Sequence, residues 1–314
     1  MVQIILVGLV AGVAGALLFL SPIGGTTLAF PLFTLCGLPV AIAGLGWTLI
    51  AGLIASAVAA VVILVAISGP AAIVYLALFA GPIVWMARFA GLSRQDGGDG
   101  GIEWYPIGRI LFHGTFAAAI GLVVVGIVIG FDPATITDEM VSTLSDWLAQ
   151  SPDVAAPPSV EDIEPFVRFN VAAMPFTVSA ILVIILVFNM WLAGRITDAS
   201  GRLPRPRPPL WTAALPNEAV VVLAAALAAS FIPGAIGHAA GTLVGGLGAA
   251  FALVGLAVLH ATTMASNLRT LILVTVYVVL ILFGFPIVLL TLLGLADGFV
   301  NLRARKLRGA PPNQ

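Results

Sequence analysis

Charge is what this chain has least of. Up to residue 90 the only Asp, Glu, Lys or Arg is Arg88, and charged residues make up 9% of the 314, against about 25% in ordinary soluble domains. Lysine is nearly absent, twelve of the 13 basic residues being arginine, a bias expected of a GC-rich bacterial genome. Cysteine occurs once, as Cys36, so an intramolecular disulfide is excluded, and no Cys or His cluster has metal-ligand spacing. There is no GxxxxGKS/T phosphate loop, no HExxH, no GxSxG, and no close acidic pair inside an apolar segment. An enzyme, a resident metal and a cofactor are therefore not expected. A net charge of −1 leaves no basic footprint for nucleic acid.

What fills the chain is apolar surface, with 61% hydrophobic residues. Runs of about 18 or more apolar residues are long enough to cross a hydrocarbon core of about 30 Å, and several follow one another here. The segments are continuously apolar, whereas barrel strands alternate over about 10 residues. The expected fold is all-α, a polytopic helical membrane protein with lipid around its outward faces. The N-terminus has neither the basic n-region nor the A-x-A-like site of a cleaved signal, so its first segment is expected to be retained as a helix.

Segments are expected at about 3–20, 25–38, 41–67 and 71–90, divided by Ser21-Pro22-Ile23-Gly24-Gly25, Gly37-Leu38-Pro39 and Ser68-Gly69-Pro70, where Gly and Pro interrupt helices. The second is short and holds Pro31, as a tilted, broken or re-entrant element would. Further segments follow at about 106–131, 172–195, 218–234, 240–260 and 269–299, the last broken at Gly284-Phe285-Pro286 and expected to be a short helical hairpin. The count is about ten, or eight to nine if the second segment or the hairpin does not fully cross. In units, 1–90 reads as a four-segment bundle, 91–131 as connector and fifth helix, 132–171 as an external loop, 172–217 as sixth helix and Arg/Pro linker, 218–302 as a second bundle and 303–314 as a basic tail.

Cytoplasmic loops hold an excess of Lys and Arg. Arg88, Arg94 and Arg109 flank one connector and Arg195, Arg202, Arg205 and Arg207 the linker, while 132–164 holds eight acids and no base. The connector, the linker and both termini are thus expected on the cytoplasmic side of a bacterial inner membrane. In the outer loop, Asp132-Pro133 reads as N-cap and N1, and Ile136, Met140, Leu144 and Leu148 recur at i+4, giving an amphipathic helix on the bilayer or over the bundle. Ser159 with Asp162 reads as a capping box. An external strut and a lid over a pocket are both compatible with it. Gly97-Gly98-Asp99-Gly100-Gly101 reads as a flexible connector, and Arg303, Arg305, Lys306 and Arg308 as cations beside anionic lipid.

Polar groups at membrane depth need a partner or a cavity. His113, Asn189 and His260 are such groups, read either as interhelical hydrogen bonds or as ligand contacts to a small molecule. Arg109, Arg269 and Asp297 read as snorkelling or ion-paired. On the first helix Gly8, Gly12 and Ala16 share a stripe with Ala11 and Gly15 beside it. Such spacing lets backbones approach closely, either inside the bundle or against a partner membrane protein.

Leu38-Pro39-Val40, Leu203-Pro204 through Pro209-Leu210-Trp211, Leu215-Pro216, Gly255-Leu256-Ala257-Val258-Leu259-His260 and Leu293 through Lys306 resemble the YybS-like family of bacterial multi-pass membrane proteins, over nearly the whole chain. That family has no settled activity. The N-terminal part is also distantly similar to the S components of energy-coupling-factor vitamin transporters, which bind a vitamin or metal from outside and dock an energising module through small residues of the first helix. The resemblance places that docking on Gly8, Ala11, Gly12, Gly15 and Ala16. This chain departs from S components in having more than six crossings, an Arg/Pro linker and an acidic outer loop, so no substrate site carries over. Two functions follow as expectations: a solute-binding or transport component, with a pocket opening beneath 132–170, and a non-catalytic membrane scaffold recruiting cytoplasmic partners.

Overall fold

The computed structural model describes residues 1–95, 101–150, 159–264 and 266–303. Residues 97–100 of the expected connector 97–101 and the tail cations Arg305, Lys306 and Arg308 lie outside them. The described chain is all-α apart from one two-stranded hairpin, β1 (Ser93–Gln95) and β2 (Ile102–Trp104), paired antiparallel. Seven helical stretches are long and apolar enough to cross a membrane, and three apolar helices are shorter. The protein is a multi-pass membrane protein.

The first crossing, α1 (Val2–Leu20), lies parallel to α4 (Leu49–Ala66). A Cβ on Gly8 would meet Ile54 and Ala51 O, and one on Gly12 would meet Ala55 O and Val58. The constant offset fixes the direction, and the absent side chains set the separation. Ala16 is 0% exposed, and Gly15 abuts Tyr75 and the Cys36 carbonyl. Here the structure differs from the docking expectation: the stripe of Gly8, Gly12, Gly15 and Ala16 is filled by this chain, and Ala11 is half-buried beside it.

The second crossing is broken before Pro39, while Pro31 lies inside its first helix. α2 (Ala29–Thr34) ends in a turn at 35–37, and α3 (Leu38–Gly46) restarts with proline in its first turn. Pro39 has no N–H to give the carbonyl four residues back, and its ring crowds that carbonyl. The fourth crossing carries a milder form of the same defect. α5 (Gly69–Tyr75) runs through a π-turn at Leu76–Ala80 into α6 (Gly81–Ala90), and Gly81 N–H donates to Leu76 O. Widening the helix beside Pro82 keeps it continuous instead of breaking it.

α7 (Ile107–Ile129) ends on Gly130, left-handed at φ 66°. α8 (Pro133–Gln150) then turns back against the start of α9 (Val160–Ala199). Asp132 accepts from Ala134 N–H, Thr135 N–H and the Thr135 hydroxyl, and the Ser159/Asp162 capping box is present. The apolar face of α8 meets Ile163, Val167 and Val171 through Val141, Ile136, Leu144 and Leu148. With 40 residues, α9 is about 60 Å long at 1.5 Å per residue, twice the hydrocarbon thickness. Its first turns therefore stand clear of the membrane as the second arm of a helical hairpin, a strut anchored to a crossing.

The C-terminal part is less regular than a row of crossings. α10 (Glu218–Ala229) is short, yet the chain around it climbs the full bundle: Gly108 touches Ala214 at one end of α7, and Phe131 meets His238 edge-on at 5.7 Å at the other. α11 (Ala235–Thr262) is the most enclosed crossing, 67% of its apolar window being buried. α12 (Arg269–Phe283) has no buried residue, and α13 (Pro286–Val300) packs on α11 through Gly255 and Gly294. At 15 residues each, these two reach about 22 Å, so the expected hairpin is present with arms shorter than the hydrocarbon core.

One end of the bundle collects the cations. Arg202 lies over Trp47, Arg205 reaches Ala90 O, Arg207 pairs with Asp198, and Arg303 donates to Trp211 O and Ala213 O. The α8–α9 hairpin, with its acids, projects from the other end of α9. We call these the basic and acidic ends.

Candidate functional site

Breaking a helix inside a bilayer frees carbonyls that no water will satisfy. Between α2 and α3 the freed groups include Thr34 O and Cys36 O, and two side chains from other crossings answer them. Asn189 of α9 donates from Nδ2 to Thr34 O at 2.8 Å and to its own Ile185 O at 2.8 Å. The Tyr75 hydroxyl donates to Cys36 O at 3.4 Å. Asn189 and Tyr75 are both 0% exposed. The break at 35–37 falls midway along the Ala29–Gly46 crossing, so the contact with Asn189 is made well inside the span.

The centre is tightly built. Gly37 sits at the break because a Cβ there would meet Ile83 Cδ1 at 2.2 Å, with Asn189 Oδ1 at 3.8 Å. That Oδ1 is buried without a protein donor. A sealed amide oxygen is an acceptor held in a low-dielectric environment, costly unless a donor or cation meets it. The cluster of Phe19, Phe33, Tyr75 and Phe79, with ring centroids 5.4 to 6.5 Å apart, surrounds the break on the α1 side.

The three expected ligand residues do not converge. His113, near the basic end of α7, takes or gives a hydrogen bond with Tyr105 Oη at 3.0 Å and stacks on Phe89 at 4.4 Å. The His260 ring meets the Tyr277 hydroxyl of α12 at 3.2 Å. Asn189 shares no partner with either. Both histidines thus hold interhelical or helix-to-connector contacts, and the pocket expected beneath 132–170 is not formed by them. Between α7 and α9, the gap lined by Met86, Leu111, Thr115 and Leu186 is too narrow for a water molecule. Asp297 is ion-paired as expected, with Arg303 at 2.7 Å.

Residues that went unremarked in the sequence carry the rest. Tyr75 looked like one apolar position among many, and Thr34 and Cys36 act through backbone oxygens that no composition reveals. The one legible signal was Pro31 and Pro39 eight residues apart inside a crossing. Among the described residues no group of three His, Cys, Asp or Glu side chains could hold a metal ion. No family model, curated protein or solved structure matches the chain.

Proposed function

We propose that this chain is a non-catalytic, solute-binding component of a membrane transport system, in a bacterial inner membrane with both termini cytoplasmic. The observation that carries the reading is the interrupted second crossing, whose freed carbonyls and the unanswered Asn189 Oδ1 sit together well inside the span. Discontinuous helices with unwound carbonyls near the midplane are how many transporters build solute and ion sites, and an amide buried there either bonds across helices or contacts a ligand. Arginine at one end and acids at the other support the orientation. The likeness to S components points the same way. Because α4 covers the stripe that the likeness assigns to docking, an energising partner would use another face. Membership of the YybS-like family is part of the same proposal.

The test is purification of the full chain in mild detergent, followed by native mass spectrometry for retained small molecules and by identification of co-purifying proteins. A stoichiometric solute or a transmembrane energising subunit with ATPases supports the reading. Asn189→Leu should then lose the solute while the ATPases stay bound. An empty bundle that brings down cell-envelope or cytoplasmic assembly proteins overturns it in favour of the scaffold.

A further inference from the structure

A cleft lies away from the broken crossing, at the basic end. About 530 Å³ in volume, it is lined by Trp104 and Tyr105 of the hairpin, by Ile107 and Gly108 at the start of α7, and by Arg205 and Arg207 of the linker. Its lining includes two guanidinium groups and no carboxylate side chain. Arg205 is 9% exposed. Its Nε is buried with no partner, Nη1 reaches only Ala90 O at 3.4 Å, and it forms no ion pair among the described residues. A guanidinium stays charged in a protein, and burial without a counter-charge is costly; desolvation pulls its pKa below the ordinary value. Arg207 is the second cation, shared with Asp198 at 2.7 Å.

The floor of the cleft adds a third positive element independently. α7 follows Pro106, which supplies no side-chain cap, and its first turn has no acid. The N–H groups of Ile107 and Gly108 find no acceptor among the described residues, while Arg109 and Ile110 turn back to Pro106 O. Free amide N–H groups at a helix start, with the dipole behind them, favour an anion. The acid of the hairpin itself, Glu103, is exposed and held by Arg94 at 2.6 Å. Trp104 lies 5.8 Å from the Arg205 guanidinium carbon, so one wall is a ring face that keeps the cation in place.

We infer that the cleft between the hairpin, the start of α7 and the Arg/Pro linker is a binding site for a phosphate-bearing anion, with Arg205 as its central contact. A phosphate takes two parallel N–H donors from a guanidinium and further donors from helix N–H groups, and the fork of Arg205 with the Ile107 and Gly108 amides offers that set. The phosphate could belong to an anionic lipid headgroup or to a free phosphorylated molecule, since the cleft sits at the end of the crossings. The inference does not rest on the transport reading and survives its failure.

The test uses the full chain, delipidated in neutral detergent, with thermal unfolding as readout. One arm titrates inorganic phosphate and pyrophosphate at constant ionic strength. The other compares nanodiscs of phosphatidylcholine alone with nanodiscs containing phosphatidylglycerol. A rise in Tm in the first arm assigns a free phosphate compound, a rise only in the second assigns a lipid, and either supports the site. In the supporting case Arg205→Gln weakens the response about tenfold or more, Arg207→Gln less, and Arg94→Gln on the exposed hairpin not at all. The inference is overturned if the wild type responds in neither arm, or if Arg205→Gln responds as the wild type does. Should Arg205→Gln fail to fold, Arg205→Lys decides: it keeps the charge but not the fork, so an undiminished response overturns the assignment.

Discussion

Arg303 folds back on the helix it follows and donates from Nε and Nη2 to Asp297 Oδ2, from its backbone N–H to Asp297 Oδ1, and from Nη1 to Trp211 O and Ala213 O. The two side chains are only 13% and 5% exposed, so removing one strands the other. Arg303→Ala is expected to cost about 3–5 kcal/mol, read as a fall in the unfolding midpoint, and Asp297→Asn much of the same. Asp132 works at the opposite end and in the open. Hydrogen bonds from Thr135, then Ala134, hold its carboxyl below the ordinary range. A depressed folded-state pKa contributes stability above the unfolded value and loses it as pH falls through the folded one. Asp132→Ala should therefore lower Tm at neutral pH, with the gap to wild type closing as acid passes below the carboxylate range. The N-cap was legible in the sequence because Asp132 precedes proline; Asp297 was legible as a group that would snorkel or pair, but its partner Arg303 reads in sequence as a cation beside anionic lipid and is instead held by Asp297 and two carbonyls. Asn189 was legible only as a polar atom needing a partner, since the Thr34 carbonyl it serves is 155 residues away.

At the scale of elements, small residues decide which helices touch. A Cβ on Gly255 would lie 1.9 Å from Leu290 O and one on Gly294 2.1 Å from Phe251 O, whereas one on Gly248 meets nothing within 4 Å. Gly255→Ala should destabilise by about 1–3 kcal/mol through overpacking. Gly248→Ala, on the same helix, should be neutral or raise stability by up to about 1 kcal/mol through helix propensity. Parallel thermal melts of the two variants check both, and equal effects would show that backbone approach does not hold α11 and α13. The small-residue spacing on α1 was visible in the sequence, but its partner was not, because one stripe fits any helix with a complementary face. Breaks were easier to read than partners. Pro31, Pro39 and Gly284-Phe285-Pro286 act locally and marked two real interruptions, whereas Pro175 lies inside α9 without ending it, and Pro82 produced a π-turn. Proline removes one donor wherever it stands, and neighbouring helices determine whether the crossing breaks, widens or carries on.

For the whole molecule, the chain's two polar ends follow from one long helix. α9 carries the acidic hairpin at its start and the linker at its finish, so its termini should face opposite aqueous compartments. With Cys36 replaced by alanine, Ser142→Cys and Ser200→Cys should react with a membrane-impermeant maleimide from opposite sides of sealed vesicles, and labelling of both from one side would reject the topology. The charge bias along the chain was enough to expect this, since 132–164 holds acids and no base while the linker is rich in arginine. The clustering of Arg202, Arg205, Arg207 and Arg303 into a folded cap was not, because the linker's P-R-P-R-P-P run at 204–209 reads as an extended spacer when nothing shows what it leans on. The parallel contact of α1 with α4 bears on how the protein is made. Gly12 meets Ala55 and Val58, so the glycine face of the first helix has no place to go until about forty more residues have left the ribosome. At about 5–20 residues per second, α1 waits some seconds in the bilayer beside a broken second crossing. Through that interval both depend on the insertion machinery, or on lipid alone, for company.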